Sequence, residues 1–515
     1  MGIPSFYRHL CRKYPKLISR GCGPPPEWLC LDFNCAMYYV LRKMPPVAEM
    51  PSQTVWEGKF CDAIADYMRE LIVLAAPTKG VYVSCDGVVC AAKRKQQRLR
   101  RFKGPWLAAE EAAVRRTAGA KVSSETKWNQ NALTPGSAFM ERLGGTLTDA
   151  GRTLAKKTGL AITVSTTSEP GEGEHKLLAR MREIRPATCT IYGLDADLIL
   201  LSMLLSAETG AAVRLMREAQ EFESRGSEGE WRSLHVTELA RITLGSRTER
   251  VRDYVATMTL LGNDFLPRSL THTVRDEGIP SLIRSLESVW SAGQQIVGDD
   301  GALRRDGLLT LLRPWAAKEE ADMFNAVIEA RAAARRPAGV GASPEETAMR
   351  EFNAQPARWC SLGTLADPRN PKQLIPGWRD MYRGVWRAGS AEEYLAGLAW
   401  TWDYYSGRAV DLGWFFEEHL PPLWPDVVAA LDRCDSVEPP ALRFTESLPA
   451  WLHLLSVLPA ESARELLPAS RLAALKKAPW YWPTSWSLFD IGRTQMWECE
   501  PVIPVPAEAV VRSWM

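Results

Sequence analysis

Short apolar runs alternate with amphipathic segments over roughly the first 285 residues. Four of these runs have the length and β-branched content of buried strands: residues 28–31, 81–85, 161–165 and 188–194. The intervening stretches, including 60–74 and 175–184, have the apolar spacing of amphipathic helices. Strands that are separated by helices predict an α/β fold with a mostly parallel central sheet flanked by helices.

The pattern changes after residue 290. Residues 300–350 are rich in Ala, Arg and Glu and predict solvent-facing helices, with a loop at PAGVGASP. Beyond about residue 355 the chain is Trp-rich, since 13 of its 20 Trp follow residue 350, and we expect this part to be mainly helical. We therefore predict an α/β core over 1–290, a helical connecting segment over 291–375, and a C-terminal part over 376–515 that packs on the core.

Composition excludes several classes of protein. The 515 residues are 46% apolar and 24% charged, which is typical of a globular chain with a sizeable core. The eleven Cys form no CxxC pair, which argues against a zinc ribbon or a disulfide scaffold and favours a reducing compartment. No apolar run is long enough for a transmembrane helix. With a net charge of only +2, any signal for nucleic-acid binding has to be local.

Acidic residues follow three of the predicted strands. Asp32 ends WLCLD, Asp86 ends VYVSCD, and Asp195 and Asp197 lie in YGLDAD. One such Asp is ordinarily a helix N-cap. Acids after three strands of one sheet point to more than helix capping, because the carboxyl ends of parallel strands lie along one edge, where ligands bind. We expect these acids to converge there.

Three further acids belong to two motifs. Glu172 and Glu174 lie in EPGEGEHK, and Asp264 lies in LLGNDFLP. Taken alone, the two Glu residues indicate helix capping and Asp264 indicates an ordinary turn. If all seven acids converge, their repulsion requires cations, and hard oxygen ligands favour Mg²⁺ or Mn²⁺. Two such ions, roughly 3.5–4 Å apart, would support phosphodiester cleavage.

A basic run follows Asp86. Between Lys93 and Lys103 it holds seven basic residues and no acid. A solvated helix face or a nuclear localisation signal is the alternative to a binding site. At helical spacing four side chains fall on one face, and their guanidinium, ammonium and amide groups suit phosphate oxygens: Lys93, Gln97, Arg100 and Arg101. A site that holds a terminal phosphate beside the metals would cleave from the end of the substrate, as an exonuclease does.

The order of these motifs resembles that of the XRN family of 5′→3′ exoribonucleases. The matching segments, in family order, are MGIPSFYRHLCRKYP, LCLDFN, DGVVCAAKRKQQRLRRFK, ALTPGSAFMERL, EPGEGEHK, YGLDADLILL and LLGNDFLP. A second, weaker block begins at 394–427, continues through LHLLSVLPAESARELLP and ends in FDIGRTQMWECEPVIPVP. The long C-terminal extensions of many family members do not appear in this sequence.

The resemblance implies a metal-dependent, processive hydrolase with a PIN/flap-nuclease-like core. Its substrate would be single-stranded RNA with a 5′-monophosphate. By motif position the metal ligands would be Asp32, Asp86, Glu172, Glu174, Asp195, Asp197 and Asp264. The 5′-phosphate pocket would consist of Lys93, Gln97, Arg100 and Arg101.

Three aromatic or small positions bear on how the substrate would be held. Trp414 of GWFF matches a family Trp that stacks on a base near the 5′ end. Tyr38 stands where the family usually has a stacking His, and Tyr retains a ring that stacks. Cys90 replaces a family Pro that belongs to the steric block against structured RNA, so duplex unwinding is left open.

Two other functions stay open. One is a DNA nuclease of the flap-endonuclease type, which shares the logic of the acidic edge. The other is an RNA-binding or structural protein of the same fold with weak catalysis, although none of the seven acids is replaced. We expect an intracellular location, cytoplasmic rather than nuclear, with decapping or RNA-processing proteins as partners, and a viral origin is compatible with the composition.

Overall fold

A seven-stranded sheet forms the centre of the N-terminal half. The structure is a computed structural model that describes residues 6–120, 128–219, 230–245, 247–274 and 277–515, so the first five residues of MGIPSFYRHLCRKYP lie outside it. The strands of this sheet are β1 (Ile18–Arg20), β2 (Trp28–Asp32), β3 (Gly80–Ser84), β4 (Ala161–Ser165), β5 (Thr188–Tyr192), β6 (Ala212–Glu218) and β7 (Trp231–His235). A separate hairpin pairs β8 (Ser487–Phe489) with β9 (Glu500–Val502).

The strand order is β1-β7-β6-β5-β2-β3-β4. From β6 to β4 all neighbours are parallel, whereas β7 runs antiparallel to both β6 and β1. The chain fills one side of β2 with β3 and β4 and then returns to place β5 on its other side. The order therefore reverses between β2 and β5, and the crevice at such a switch point is where α/β sheets bind ligands.

Twenty helices accompany the strands in the described residues. Those of the N-terminal half are α1 (Phe6–Lys13), α2 (Asn34–Leu41), α3 (Gln53–Ala75), α4 (Ala91–Thr117), α5 (Ala138–Thr158), α6 (Gly173–Ile184), α7 (Asp197–Thr209), α8 (Val236–Leu244), α9 (Thr248–Met258) and α10 (Gly278–Ser291). The others are α11 (Arg305–Arg335), α12 (Pro344–Asn353), α13 (Gln355–Trp359), α14 (Trp378–Asp380), α15 (Ala391–Ser406), α16 (Trp424–Arg433), α17 (Ala450–Val457), α18 (Ala460–Leu466), α19 (Ala473–Lys477) and α20 (Glu508–Arg512).

The sheet separates two hydrophobic cores. Leu29 and Leu31 of β2 face one core, which includes α3 and α5, while Cys30 between them faces the other core with α6 and α7. Strands buried on both faces read as continuous apolar runs, which is why the pattern located them. The predicted α/β fold with a mostly parallel sheet and a mainly helical C-terminal part is confirmed. The three segment boundaries stay a prediction.

The structure corrects the expected exposure of the 300–350 segment and shows the state of the cysteines. The 300–350 segment is helical, but α11 is not solvent-facing all round: Glu319, Met323 and Val327 form a buried face at helical spacing. The eleven Cys are free thiols, in agreement with the absence of a disulfide scaffold. Within the described ranges, no helix combines the length and apolar character needed to cross a membrane.

Helix α4 is fixed to the C-terminal part by a buried ion pair. Arg94 pairs with Glu508 of α20, and the two residues are 6% and 2% exposed. Arg94 also donates to the carbonyl of Val89, and Arg512 donates to Glu508 from the next helical turn. Because a buried charge that loses its partner is strongly destabilising, this contact holds α4 and α20 together.

Three other cations of the basic run also bind α4 to the C-terminal part. Arg98 is 1% exposed and donates to three backbone carbonyl groups, those of Ser456, Tyr481 and Pro504. Lys95 and Lys103 also donate to backbone carbonyl groups of the C-terminal part. Four of the seven basic residues thus stabilise the packing of α4 on the C-terminal part.

Replacing Glu508 by Ala should destabilise the fold by about 3–5 kcal/mol, because it leaves the Arg94 charge buried and unpaired. The matched control is Glu392→Ala, which breaks an exposed ion pair with Arg433 and should cost less than about 1 kcal/mol. Urea unfolding followed by circular dichroism measures both. Equal losses in the two variants would contradict the assigned role of Glu508.

Candidate active site

Four of the predicted acids lie at the carboxyl edge of the sheet, around the switch point. Asp32 is the last residue of β2, and Asp86 follows β3 by two residues. Asp195 lies in the turn after β5, and Asp197 is the first residue of α7. Parallel pairing of β3, β2 and β5 brings the ends of these strands side by side, so the sheet itself collects the carboxylates.

The N-terminus of α6 brings the next two acids to the same edge. Glu172 precedes the helix and Glu174 lies in its first turn. Gly173 between them donates its N–H to the Oδ1 atom of Asp86 at 2.7 Å. A Cβ atom on Gly173 would lie 3.1 Å from Oδ1 of Asp32 and 3.3 Å from Oδ1 of Asp86, so a larger residue would require these neighbours to shift by a few tenths of an ångström.

Asp264 and Lys93 complete the acidic cluster. The Nζ atom of Lys93 lies 2.6 Å from Oε2 of Glu172 and 2.8 Å from Oδ2 of Asp264. Tyr404, from helix α15, donates its hydroxyl to the Oε1 atom of Glu172 at 2.8 Å. The structure therefore places the ammonium group of Lys93 among the acids, and the C-terminal part contributes a contact to the site.

Burial and mutual repulsion dominate the electrostatics of the cluster. Burial and the neighbouring charges of Asp86 and Asp195 raise the pKa of Asp32 well above its usual value. Burial, Asp197 and Glu172 do the same to the pKa of Glu174. Burial also raises the pKa of Glu172, although Lys93 opposes this shift.

Asp197 and Asp264 differ because only one of them pairs with Lys93. Burial, together with the charges of Asp264 and Asp195, raises the pKa of Asp197 to about 7. Burial acts on Asp264 in the same direction, but Lys93 outweighs it and holds the pKa of Asp264 below its usual range. Burial alone would lower the pKa of Lys93, yet Asp264 and Glu172 keep it well above normal. One ammonium group thus faces a larger number of carboxylates.

The residues fit a divalent cation. The Oε2 atom of Glu174 and the Oδ1 atom of Asp197 are buried and have no hydrogen-bond partner among the described residues. Carboxylate oxygens with unused lone pairs, in a cluster whose pKa values are raised by repulsion, are suitable ligands for a hard cation. The ordinary alternative, a helix cap, does not apply to Glu172, whose side chain accepts no capping hydrogen bond.

His175 is a candidate ligand that the sequence analysis missed. It offers a ring nitrogen within 4.8 Å of carboxylate oxygens of Glu172 and Glu174. Its Nε2 atom is buried without a partner in the described part of the chain, and burial lowers the pKa of the ring to about 3, so the ring is neutral. The sequence feature that could have identified it is its position directly after Glu174 in EPGEGEHK.

A cavity of about 160 Å³ lies between the acids and α4; we call it the catalytic cavity. Its acidic wall includes five of the predicted acids, Asp32, Asp86, Glu172, Glu174 and Asp195. Its basic wall comprises Lys93, Gln97, Arg100 and Arg101, all from α4. Asp197 and Asp264 do not line it, and Asp264 contacts it through its ion pair with Lys93.

The basic wall has unused hydrogen-bonding capacity. Arg101 is 7% exposed and donates from Nη1 to Asn131 at 3.4 Å, while its buried Nε has no partner in the described residues. The Oε1 atom of Gln97 is likewise buried without a partner there. Arg100 is exposed at the rim. Burial lowers the pKa of Arg101 only to about 10, so Arg101 stays charged at neutral pH.

The two predicted stacking residues are placed differently. Tyr38 is half-buried and lines the catalytic cavity. Trp414 does not line it: its ring lies 5.0 Å from that of Trp400 and packs against Gly397 of α15. Cys90 is buried at the start of α4. The structure thus brings Tyr38, but not Trp414, to the acids.

The chain is similar to known exoribonucleases. Residues 1–219 match the family model described as XRN 5′-3′ exonuclease N-terminus. The 5′-3′ exoribonuclease 2 of Kluyveromyces lactis is 30% identical over 395 residues, which cover 63% of this chain and 40% of that protein. Human 5′-3′ exoribonuclease 1 is 25% identical over 583 residues, which cover 98% of this chain and 33% of that protein.

One solved structure aligns weakly. It is the T5 D15 protein co-crystallised with metal ions, with a TM-score of 0.27 and 13% identity, over 58% of this chain and 88% of that one. A score this low supports no argument. The chain spans about two fifths of the length of the first curated relatives it matches. Residues 1–219 of the chain are thus similar to the N-terminal region of XRN 5′-3′ exonucleases.

Proposed function

We propose that this chain is a divalent-metal-dependent 5′→3′ exoribonuclease that hydrolyses single-stranded RNA with a 5′-monophosphate and releases mononucleotides processively. The observation that carries the proposal is the catalytic cavity, where a wall of carboxylates faces a wall of phosphate-binding groups. The acids would hold two Mg²⁺ or Mn²⁺ ions. The basic wall would hold the terminal phosphate. Similarity to proteins named 5′-3′ exoribonuclease supports the direction of attack.

Each wall has a defined part in the reaction. The metal ions, when bound, supply Lewis acidity and the positive charge that stabilises the scissile phosphate in its transition state. Gln97, Arg100 and Arg101 bind the 5′-phosphate, and Tyr38 stacks on the first base. Binding at both walls places one nucleotide between the phosphate pocket and the acids. The cut therefore falls one nucleotide from the end.

Lys93 links the two walls. Its ammonium group contacts Glu172 and Asp264, so its positive charge offsets part of the repulsion between the carboxylates. The same charge would reduce the repulsion between these carboxylates and the substrate phosphates. An intracellular and cytoplasmic location and decapping or RNA-processing partners stay predictions. So does the effect of Cys90 on structured RNA.

The first test is a time course on 3′-labelled RNA with a 5′-monophosphate, a 5′-hydroxyl or a 5′-triphosphate, in Mg²⁺, Mn²⁺ or EDTA. Only the monophosphate should be degraded rapidly, since the basic wall selects one phosphate, and EDTA should stop the reaction. A DNA strand of the same sequence is the control for sugar specificity. Equal degradation of DNA would favour the flap-endonuclease alternative. RNA binding without hydrolysis would favour a structural role.

Asp197→Asn should reduce hydrolysis by about 10- to 100-fold, because loss of a carboxylate at the metal site weakens metal binding by about that factor. The same variant should be more stable than the parent in EDTA. The pKa of Asp197 is raised to about 7 in the folded state, so folding takes up a proton and the parent loses stability as pH rises from about 4 to 7. Asn removes that loss.

Urea unfolding at pH 5 and pH 8 measures this effect, and the advantage of Asn should be larger at pH 8. Asp149→Asn is the matched control, because Asp149 is 74% exposed and pairs only with its helix neighbour Arg152 among the contacts described. The control should leave hydrolysis unchanged. The same advantage at both pH values would contradict the charge repulsion assigned to Asp197.

Arg100→Ala and Arg101→Ala should each raise KM for 5′-monophosphate RNA by about 10- to 100-fold, as expected for loss of a charge-assisted hydrogen bond. Turnover of 5′-hydroxyl RNA should change little, so the preference for the monophosphate falls. Arg116→Ala, an exposed site near the end of the same helix, is the control. If both variants kept the full preference, the 5′-phosphate would be bound elsewhere.

A further inference from the structure

Gln96 lines the catalytic cavity, and neither wall of the proposed reaction uses it. It is half-buried on α4, and its Oε1 atom is buried and has no hydrogen-bond partner among the described residues. A buried acceptor without a partner is unfavourable, because it has given up its hydrogen bonds to water. A donor supplied by the substrate would restore the missing hydrogen bond.

The 5′-phosphate is not a suitable donor for this atom. Phosphate oxygens accept hydrogen bonds from Arg, Lys and N–H groups, and an amide oxygen is an acceptor too. Two acceptors do not form a hydrogen bond with each other. The Oε1 atom of Gln96 therefore fits a hydroxyl or amino group of the nucleotide instead.

The position of Gln96 along α4 points to the first sugar of the substrate. Gln96 follows Lys93 by three residues and precedes Arg100 by four, so the three side chains share one stripe of the helix. Lys93 contacts the acidic cluster through Glu172, and Arg100 belongs to the proposed phosphate pocket. The sugar of the first nucleotide connects the 5′-phosphate to the scissile phosphate. Gln96 lies between the sites for these two phosphates and hence beside that sugar.

This sugar carries one O–H group in RNA. Its 5′ oxygen bears the terminal phosphate and its 3′ oxygen belongs to the scissile linkage, so only the 2′-hydroxyl keeps a proton. The amino groups of the bases differ from one base to another, whereas a processive exonuclease accepts each base in turn. The 2′-hydroxyl is present in every RNA nucleotide and absent from DNA.

We infer that the Oε1 atom of Gln96 accepts a hydrogen bond from the 2′-hydroxyl of the first nucleotide, which makes Gln96 a residue that selects RNA over DNA. This inference rests on the proposed exoribonuclease function, in which Arg100 and the acids hold the phosphates on either side of the sugar. Loss of one hydrogen bond between neutral groups weakens binding by about 3- to 10-fold.

The test measures the affinity of 5′-monophosphorylated RNA decamers in Mg²⁺, in an Asp195→Asn background that slows turnover. The decamers carry ribose throughout, a 2′-fluoro group at nucleotide 1, or a 2′-fluoro group at nucleotide 8. Fluorine replaces the hydroxyl but donates no hydrogen bond. In the background protein, fluorine at nucleotide 1 should weaken binding by about 3- to 10-fold, whereas fluorine at nucleotide 8 should have no effect.

Gln96→Ala should abolish this difference, because the hydroxyl and the amide belong to one contact. The all-ribose decamer should bind about 3- to 10-fold more weakly, and fluorine at nucleotide 1 should cause no further loss. Gln96→Glu keeps an acceptor and should keep the difference, although its negative charge weakens the binding of both RNAs.

Gln373→Ala is the matched control. Gln373 is exposed and does not line the catalytic cavity, so both affinities should stay within about twofold of those of the background protein. If Gln96→Ala fails to fold, Gln96→Met carries the same comparison, because Met keeps the length of the side chain and has no amide oxygen.

Three results would overturn the inference. The first is a full effect of fluorine at nucleotide 1 in Gln96→Ala, and the second is no effect of that fluorine in the background protein. The third is a lost preference of Gln96→Ala for 5′-monophosphate over 5′-hydroxyl RNA, since Gln96 would then turn its amide N–H groups to the phosphate. Failure of the proposed function would look different: the background protein would bind none of the decamers, and the parent would hydrolyse none.

Discussion

Helix α4 has to satisfy partners on two sides, and the geometry of the site depends on both. One face presents Lys93, Gln97, Arg100 and Arg101 to the catalytic cavity. The other buries Arg94 and Arg98 against the C-terminal part. Because the buried cations fix the rotation of the helix about its axis, they also decide which cations reach the cavity. The C-terminal part thereby helps to set the basic wall of the catalytic cavity.

The acidic edge works against the stability of the fold. Burial and repulsion raise the pKa values of several of its carboxylates, and Lys93 is the cation placed among them. A fold tolerates such a cluster when its scaffold is rigid, and here the scaffold is a sheet with a hydrophobic core on each face. The acidic cluster thus lowers the stability of the fold at this edge, in keeping with the trade-off between stability and activity.

The sequence predicts the strands and the convergence of the acids because both follow from short-range patterns and one rule about parallel sheets. It also predicts the face of α4 that carries Lys93, Gln97, Arg100 and Arg101, which line the catalytic cavity. It does not show that Arg94 and Arg98 are structural, because their partners lie in the distant C-terminal part. Gly173 and His175 were missed for a similar reason, since their importance lies in contacts across the site. The sequence also does not show that Trp414 packs against Gly397 of α15, and the stacking role of Trp414 stays a prediction.

The contacts of Arg94 and Arg98 also set an order of events during synthesis. Their partners at Glu508 and Pro504 lie 414 and 406 residues further along the chain. At roughly 5–20 residues per second, a ribosome needs about 20–80 seconds to reach them after α4 has emerged. Until then the Arg94 guanidinium group lacks its carboxylate partner and Arg98 lacks one of its three carbonyl partners, so the contacts that fix the rotation of α4 are incomplete. The basic wall of the catalytic cavity therefore takes its final form only after the C-terminal part has been synthesised.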